Sequence, residues 1–171
     1  LINLASLITE PSAGEILFND IKTSDLTLNE KSVLRQRDIG LIRQRDNLFP
    51  FLNMLENVKV PILGEDRDVA TKILNKIGFT DYNTCPRDLS LLQQQKVALA
   101  RALVNNPPIL LADEPTGELN HEEALIFIEL MEKMTDKTAV LIVSNNYQLE
   151  EYFKNVFHLK EGSLHKKSGI R

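Results

Sequence analysis

The stretch ILLADEPTGELN, residues 109–120, decides the fold. It follows Pro108, opens with four apolar residues and stops abruptly in two carboxylates, Asp113 and Glu114. A continuous apolar run of this length, bounded by turn residues, is typical of a strand buried on both faces of a parallel sheet. Acids that follow such a strand lie where α/β sheets bind their ligands. We therefore expect this stretch to end a central strand at a ligand-binding edge.

The sequence on either side alternates short apolar runs with longer helical patterns. Strands are predicted at 15–18, 39–43, 139–143 and 156–159, the last opening a hairpin, and helices at 27–38, 53–63, 67–79, 92–104 and 121–134. This alternation predicts one α/β domain, residues 1–171, with a mainly parallel sheet flanked by helices. No strand-like run occurs between residues 45 and 105, so residues 47–105 are predicted to form an inserted α-helical subdomain.

Composition excludes several classes of protein. The net charge of −4 and the pI near 5.4 argue against a nucleic-acid partner, and none is expected. The single cysteine, Cys85, cannot form an internal disulfide and fits a reducing compartment. No apolar run reaches the roughly 18 residues that a membrane span needs. The three histidines do not have metal-ligand spacing.

The two acids after the apolar strand suit metal-assisted attack by water. One acid in this place can hold Mg²⁺, usually through water, while the next can orient or deprotonate an attacking water. For the dipeptide alone, a strand ending in solvated charge is the simpler interpretation. The five residues Asp-Glu-Pro-Thr-Gly directly after four apolar residues are far more specific.

This stretch closely resembles the Walker B motif and D-loop of ABC-transporter ATPases. LSLLQQQKVALARAL (89–103) resembles the signature of that family, and IGLIRQRDNLFPFLNMLENVKVPI (39–62) resembles its Q-loop and the entry to its helical subdomain. LIVSNNYQLEEYFKNVFHLKEGSL (141–164) resembles its H-switch region, and the first 20 residues resemble the segment after the phosphate-binding loop. The LENVKVPI and PTGELN variants suggest the lipoprotein-releasing, macrolide-exporter and cell-division branch.

The resemblance implies a P-loop NTPase-type fold that binds ATP and Mg²⁺. By motif position, Gln44 and Asp113 would bind nucleotide and Mg²⁺, and Glu114 would be the catalytic acid. Asn145 occupies the H-switch position, and Asn120 stands where the family has the D-loop aspartate. The implied partners are a transmembrane transporter subunit, docking near residues 48–51, and a second ABC ATPase domain in a homo- or heterodimer. The implied location is the cytoplasmic face of the membrane.

The chain departs from the family pattern at phosphate-facing positions. Leu91 and Leu92 replace two signature glycines, whose lack of a Cβ lets backbone amides approach the γ-phosphate held by the opposite subunit, although Ser90 and Gln93 are retained. Asn145 replaces the H-switch histidine and cannot become cationic. The G-x-x-x-x-G-K-[ST] loop is absent, so we expect the strands before it to be missing and one flank of the sheet to be bare.

Two functions remain open after these departures. The first is an ATP-hydrolysing subunit that powers a membrane partner. The second is a catalytically degenerate subunit that serves as a structural or regulatory partner of an active paralogue. A soluble ABC ATPase of chromosome or repair type is a weaker third, because no coiled-coil insertion is visible between residues 44 and 89. Under the first two, Gln44, Asp113, Glu114 and Asn145 should meet at one edge of the sheet.

Overall fold

The structure is a computed structural model that describes residues 1–44, 47–64 and 68–167. The helices are α1 (Ile2–Ala5), α2 (Leu28–Asp38), α3 (Met54–Lys59), α4 (Asp68–Lys76), α5 (Leu91–Leu103) and α6 (His121–Met134). The strands are β1 (Leu17–Phe18), β2 (Ile21–Lys22), β3 (Ile39–Ile42), β4 (Ile109–Asp113), β5 (Ala139–Val143), β6 (Phe157–Lys160) and β7 (Ser163–Lys166). Short 3₁₀ turns lie at Thr23–Asp25, Pro86–Asp88 and Tyr147–Tyr152.

Capping boxes in the sequence fix where several helices begin. In each, the side chain of the residue before the helix accepts a hydrogen bond from the amide three residues later, and the acid or amide side chain there accepts one in return. The pairs are Thr27 with Glu30 for α2, Asn53 with Glu56 for α3, Ser90 with Gln93 for α5 and Asn120 with Glu123 for α6. These reciprocal bonds satisfy amides that would otherwise lack partners at the helix start.

The central sheet has the order β3-β4-β5, and both pairings are parallel. The register joins Ile39 to Ile109 on one side of β4 and Ile109 to Ala139 on the other. The prediction that residues 109–112 and 139–143 are parallel neighbours is confirmed. The strands β1 with β2 and β6 with β7 form separate antiparallel hairpins, so the final hairpin is confirmed too.

Strand β4 is buried on both faces, as its apolar run predicts. Leu110 belongs to a large cluster that includes Val58 of α3, Leu99 of α5 and Phe127 of α6. Leu111 belongs to a second cluster on the opposite face, formed with segments of α1 and α2. The sheet therefore lies between two apolar layers, in agreement with the predicted α/β class.

Strand β5 does not share this burial, although it is just as apolar. Val140 is 40% exposed and Leu141 is 36% exposed. Within the described residues, β5 pairs only with β4, and its other edge carries no strand. The exposure of β5 agrees with the expectation of one bare flank, which stays a prediction. An apolar run predicts a strand, but burial requires a further layer or strand on each side of it.

Between β3 and β4, the described residues 47–64 and 68–105 contain helices α3, α4 and α5, joined by turns and irregular segments, and no strand. The helix predicted over 53–63 stops at Lys59, because Pro61 has no amide to continue it. Side chains of α3, α4 and α5 share the large cluster with β4 and α6. Whether residues 47–105 behave as a distinct subdomain therefore stays a prediction.

Candidate functional site

Four of the site residues predicted from sequence lie at the carboxyl-terminal edge of the central sheet: Gln44, Asp113, Glu114 and Asn145. Ile42 pairs with Ala112, and Asp113 pairs with Val143, so the three strands end at the same level. Gln44 follows β3 by two residues, and Asn145 follows β5 by two residues. The register thus brings the ends of three separate segments to one edge. That the Gln44 and Asp113 side chains share an ion stays a prediction.

Glu114 is bonded to the segment that follows β5. Its Oε2 accepts a hydrogen bond from Ser144 Oγ at 2.9 Å, and its Oε1 accepts one from the Asn145 amide at 2.7 Å. The Glu114 amide continues the sheet ladder by donating to the Val143 carbonyl at 2.8 Å. Glu114 also has a φ of +46°, a left-handed conformation that is uncommon outside glycine. The chain thus turns sharply out of β4 at the acid while its carboxylate is held by the neighbouring strand's loop.

The contact from Asn145 comes from its backbone amide, so any residue except proline can make it at this position. The Asn145 side chain is exposed. The consequence of replacing a histidine here is therefore confined to the side chain and what it offers a ligand. Ser144 was missed by the sequence reasoning. The available signal was a hydroxyl residue directly after an apolar strand, but only the register shows that it faces Glu114.

The four residues at the signature position, 90–93, have different roles: two cap helix α5, one is exposed and one packs against the core. Ser90 Oγ accepts from the Gln93 amide at 3.2 Å, and the Ser90 amide donates to Gln93 Oε1 at 2.9 Å. Leu91, the first residue of α5, is 45% exposed. Leu92 instead packs against the large apolar cluster. Both leucines were expected to cover the turn before α5, but only the Leu91 side chain lies on that exposed surface. The helix directs the Leu92 side chain toward the core instead.

Asn120 has a structural role that its sequence position alone did not reveal. Its Oδ1 accepts a hydrogen bond from the Glu123 amide at 2.9 Å, and its own amide donates to Glu123 Oε2 at 3.2 Å. Asparagine and aspartate are both favoured at this cap. The D-loop position therefore starts α6 whichever of the two residues it carries. Its predicted contribution to a nucleotide site stays a prediction.

The acids at the sheet edge suit a cation that arrives with its own oxygen ligands. Among the described residues, no group of three or more histidine, cysteine, aspartate or glutamate side chains could hold a metal ion. Asp113 and Glu114 are hard oxygen donors of the kind that Mg²⁺ prefers, and Mg²⁺ commonly takes one or two carboxylates together with phosphates and water. The donor set therefore fits Mg²⁺ bound with a phosphate ligand, and it does not fit a metal held by protein alone.

An aromatic loop, residues 49–52, lies beside the start of α3. The buried Asn57 accepts a hydrogen bond from the Phe49 amide at 2.8 Å and donates to the Phe49 and Leu52 carbonyls at 3.1 and 2.8 Å. Phe51 is 84% exposed. The Arg101 guanidinium lies 5.8 Å from the centre of the Phe49 ring, and burial lowers the pKa of Arg101. The sequence analysis does not single out Asn57. Its place among the apolar positions of a short helix could have indicated a buried polar side chain.

Across the described residues, the structure contains no helix with both the length and the apolar character required to span a membrane.

Comparison with known proteins agrees with the sequence motifs and the sheet topology. The family model described as ABC transporter matches residues 1–117. An uncharacterized ABC transporter ATP-binding protein of Methanocaldococcus jannaschii is 34% identical over 172 residues, covering 96% of this chain and 77% of that protein. The lipoprotein-releasing system ATP-binding protein LolD of Ehrlichia chaffeensis is 37% identical over 174 residues. The aligned region covers 96% of this chain and 74% of LolD.

A solved structure gives the same result for the fold. The dimeric structure of an ATP-binding cassette of Methanocaldococcus jannaschii, in a post-hydrolysis state bound to ADP and Pi, superposes with a TM-score of 0.85 at 32% identity. The superposition covers 99% of this chain and 79% of that one. The apolar strand ending in Asp113 and Glu114, its parallel neighbours and these matches lead to one conclusion: the chain belongs to the ABC transporter family and is similar to its ATP-binding subunits.

Proposed function

We propose that this chain is a catalytically degenerate ABC subunit, which keeps the fold and docking surfaces of an ATP-binding subunit but supports little or no ATP hydrolysis. The carrying observation is Leu91, an exposed isobutyl group on the first residue of α5. The family resemblance puts a glycine here, so that helix amides can approach the γ-phosphate held by the opposite subunit. A branched apolar side chain at this point obstructs that approach and places an apolar surface against a charged ligand.

Two features at the sheet edge support the same proposal. Asn145 cannot supply the positive charge that a protonated histidine would offer a phosphate. Both carboxylate oxygens of Glu114 already accept hydrogen bonds from the segment after β5, which orients the group toward that segment. Asp113 and Gln44 would hold Mg²⁺ and nucleotide phosphates if ATP binds. The ion would supply charge neutralisation at the transferred phosphoryl group.

The aromatic loop is proposed as the docking surface for a transmembrane partner on the cytoplasmic face of the membrane. It presents the exposed Phe51 and the half-exposed Phe49 next to the cationic Arg101. Exposed aromatic residues beside an arginine are the side chains most often enriched in protein interfaces. The dimeric state of the similar solved cassettes supports pairing with a second ABC ATPase domain, of the same or another chain.

The test is ATP hydrolysis by the full-length protein, produced with any sequence that its gene encodes on either side of these residues. Phosphate release should not exceed that of the Glu114→Gln variant. Combining Leu91→Gly with Asn145→His should raise the rate above that background. Leu28→Gly is the matched control, because Leu28 is likewise an exposed first residue of a helix, and it should leave the rate at background.

A second candidate, an active hydrolysing subunit, rests on the retention of Asp113 and Glu114 at the sheet edge. The same assay separates the two functions. Turnover in the unmodified protein well above the Glu114→Gln rate would establish the active subunit and overturn the degenerate one. Restored variants that stay at background would show that Leu91 and Asn145 are not what limits hydrolysis.

A further inference from the structure

A cavity of about 330 Å³ lies between the segment Leu7–Ile16 and helix α2. It shares no residue with the sheet edge, the start of α5 or the aromatic loop. Its volume is at the lower end of the roughly 300–1,000 Å³ typical of small-molecule sites. Its wall is mixed: Leu7, Ile16 and Leu28 supply apolar surface, and the charged residues are Lys31, Arg35, Glu10 and Glu15. The Glu15 carboxylate is already paired with Lys22, whose Nζ lies 2.9 Å from Glu15 Oε2.

The Lys31 side chain is the unusual part of this wall. Only 9% of it is exposed, although an ammonium group normally stays in water. Within the described residues its recorded partner is Glu10, whose Oε1 lies 2.7 Å from Lys31 Nζ. The Glu10 side chain is itself 75% exposed, so a carboxylate from the rim reaches a cation in the interior. The hydrogen bond and the charge of Lys31 hold the pKa of Glu10 below its ordinary value.

Arg35 brings a second cation to the same cavity. It lies one helical turn after Lys31, at the i, i+4 spacing at which like charges destabilise a helix. Its Nη1 donates to the Leu7 carbonyl at 2.9 Å, an uncharged acceptor. A guanidinium has five N–H donors and an ammonium has three, so both groups keep donors available for an anion. Thr23, which is buried, and Ser24 add hydroxyl groups to the wall.

We propose that this cavity binds a small organic oxyanion, a phosphate monoester or a carboxylate, between Lys31 and Arg35, in competition with the Glu10 carboxylate. The oxyanion would take the place of Glu10 at Lys31 Nζ and add a hydrogen bond from the Arg35 guanidinium. Its carbon skeleton would lie against the apolar part of the wall. With Glu10 displaced and Glu15 paired with Lys22, the two cations favour an anion because each hydrogen bond to it is charge-assisted. Glu10 acts as a tethered anion that holds Lys31 in place when no ligand is bound.

The test is a nuclear magnetic resonance titration of the full-length protein with inorganic phosphate, glycerol 3-phosphate and butyrate. The amide signals of Thr23 and Ser24 report on this cavity and separate it from any nucleotide site. At least one organic probe should move these signals saturably and bind more tightly than inorganic phosphate. Comparing glycerol 3-phosphate with butyrate shows whether the cavity prefers a phosphate monoester or a carboxylate. Absence of any saturable change with all three probes would overturn the proposal.

Variants decide whether Lys31 and Glu10 act as proposed. Lys31→Met, which keeps the length of the side chain, should weaken binding by about tenfold or more, the loss of one charge-assisted hydrogen bond. Glu10→Gln removes the tethered competitor and should tighten binding by about threefold or more. Arg37→Gln is the matched control on the same helix, because its side chain is 65% exposed and outside the cavity.

The two outcomes that contradict the proposal are also distinct. Equal weakening by Arg37→Gln and Lys31→Met would mean that the anion responds to the overall charge of α2. Weaker binding in Glu10→Gln would mean that Glu10 is part of the site and not a competitor for Lys31. If Lys31→Met does not fold, the Glu10→Gln titration alone decides, since that substitution lies on the exposed rim.

Discussion

Strands β4 and β5 are adjacent, equally long and almost equally apolar, yet one is enclosed and the other is open. Leu111 and Leu141 are partners in the parallel register. Leu111 is fully buried, whereas Leu141 is 36% exposed. The contrast shows that an apolar strand takes its stability from the layers around it and not from its own sequence.

Truncation of the two partner leucines should have very different effects on stability. Leu111→Ala removes a fully enclosed side chain and should lower the free energy of unfolding by about 2–5 kcal/mol. Leu141→Ala, at the half-open partner position, should lower it by less than about 1 kcal/mol. Urea unfolding followed by circular dichroism measures both. Equal losses in the two variants would show that β5 is enclosed in solution.

Strand β3, unlike the open strand β5, should not tolerate a single added methyl group at Gly40. Strand β3 is covered by α5, and a Cβ at Gly40 would lie 2.5 Å from the Ala102 carbonyl oxygen. Gly40→Ala should therefore lower the free energy of unfolding by about 1–3 kcal/mol, through backbone displacement. In Gly117→Ala, the corresponding nearest atom is 3.4 Å away, so that variant is the control. Unchanged urea midpoints in Gly40→Ala would contradict the close packing of α5 on β3.

The open edge of β5 should promote association between molecules. Unpaired strand edges with apolar side chains pair with other chains, and a lysine on the edge opposes this. Val140→Lys should reduce concentration-dependent association, while the free energy of unfolding changes by about 0.5 kcal/mol or less. Light scattering over a concentration series measures the effect. Val33→Lys on α2 is the control for added charge at an exposed valine, and an equal reduction there would exclude a special role for β5.

Polar contacts hold the segments that follow β5, and these should give a small pH-dependent effect. Hydrogen bonds from Lys167 and His158 lower the pKa of Glu150. A lowered pKa means that the charged form stabilises the fold. This contribution is present above the ordinary glutamate pKa and is lost as the pH falls through the lowered value.

The Glu150→Gln variant should therefore melt at a lower temperature than the unmodified protein near pH 7, with the difference closing as the pH falls through the lowered pKa of Glu150. Glu151→Gln, one residue further on, removes the same charge and is the control. Thermal unfolding over a pH series checks the result. A difference that persists unchanged in acid would mean that Glu150 contributes by packing and not by its charge.

The predictable part of this molecule was the part determined by local sequence. The apolar run before Asp113 placed a strand and its acidic end, because side-chain type and strand length are local properties. The exposure of Leu141 was not local, since it depends on what lies beside β5. The bond between Ser144 and Glu114 needed the register of two strands that are 30 residues apart. The signature motif likewise predicts a ligand-facing Leu92, whereas the start of α5 packs this side chain against the large apolar cluster.

The buried Asn57 affects the entropy cost of binding at the aromatic loop as well as the shape of the loop. Its side chain fixes backbone groups of Phe49 and Leu52 in the free protein. Ordering a loop on binding typically reduces affinity, because conformational entropy is lost at that moment. Here the Phe49 and Leu52 backbone is already ordered in the free protein, so a partner that docked at this loop, as proposed, would pay less of that entropic cost. Association at this loop should therefore be limited by the fit between the two surfaces, with little further ordering of the chain.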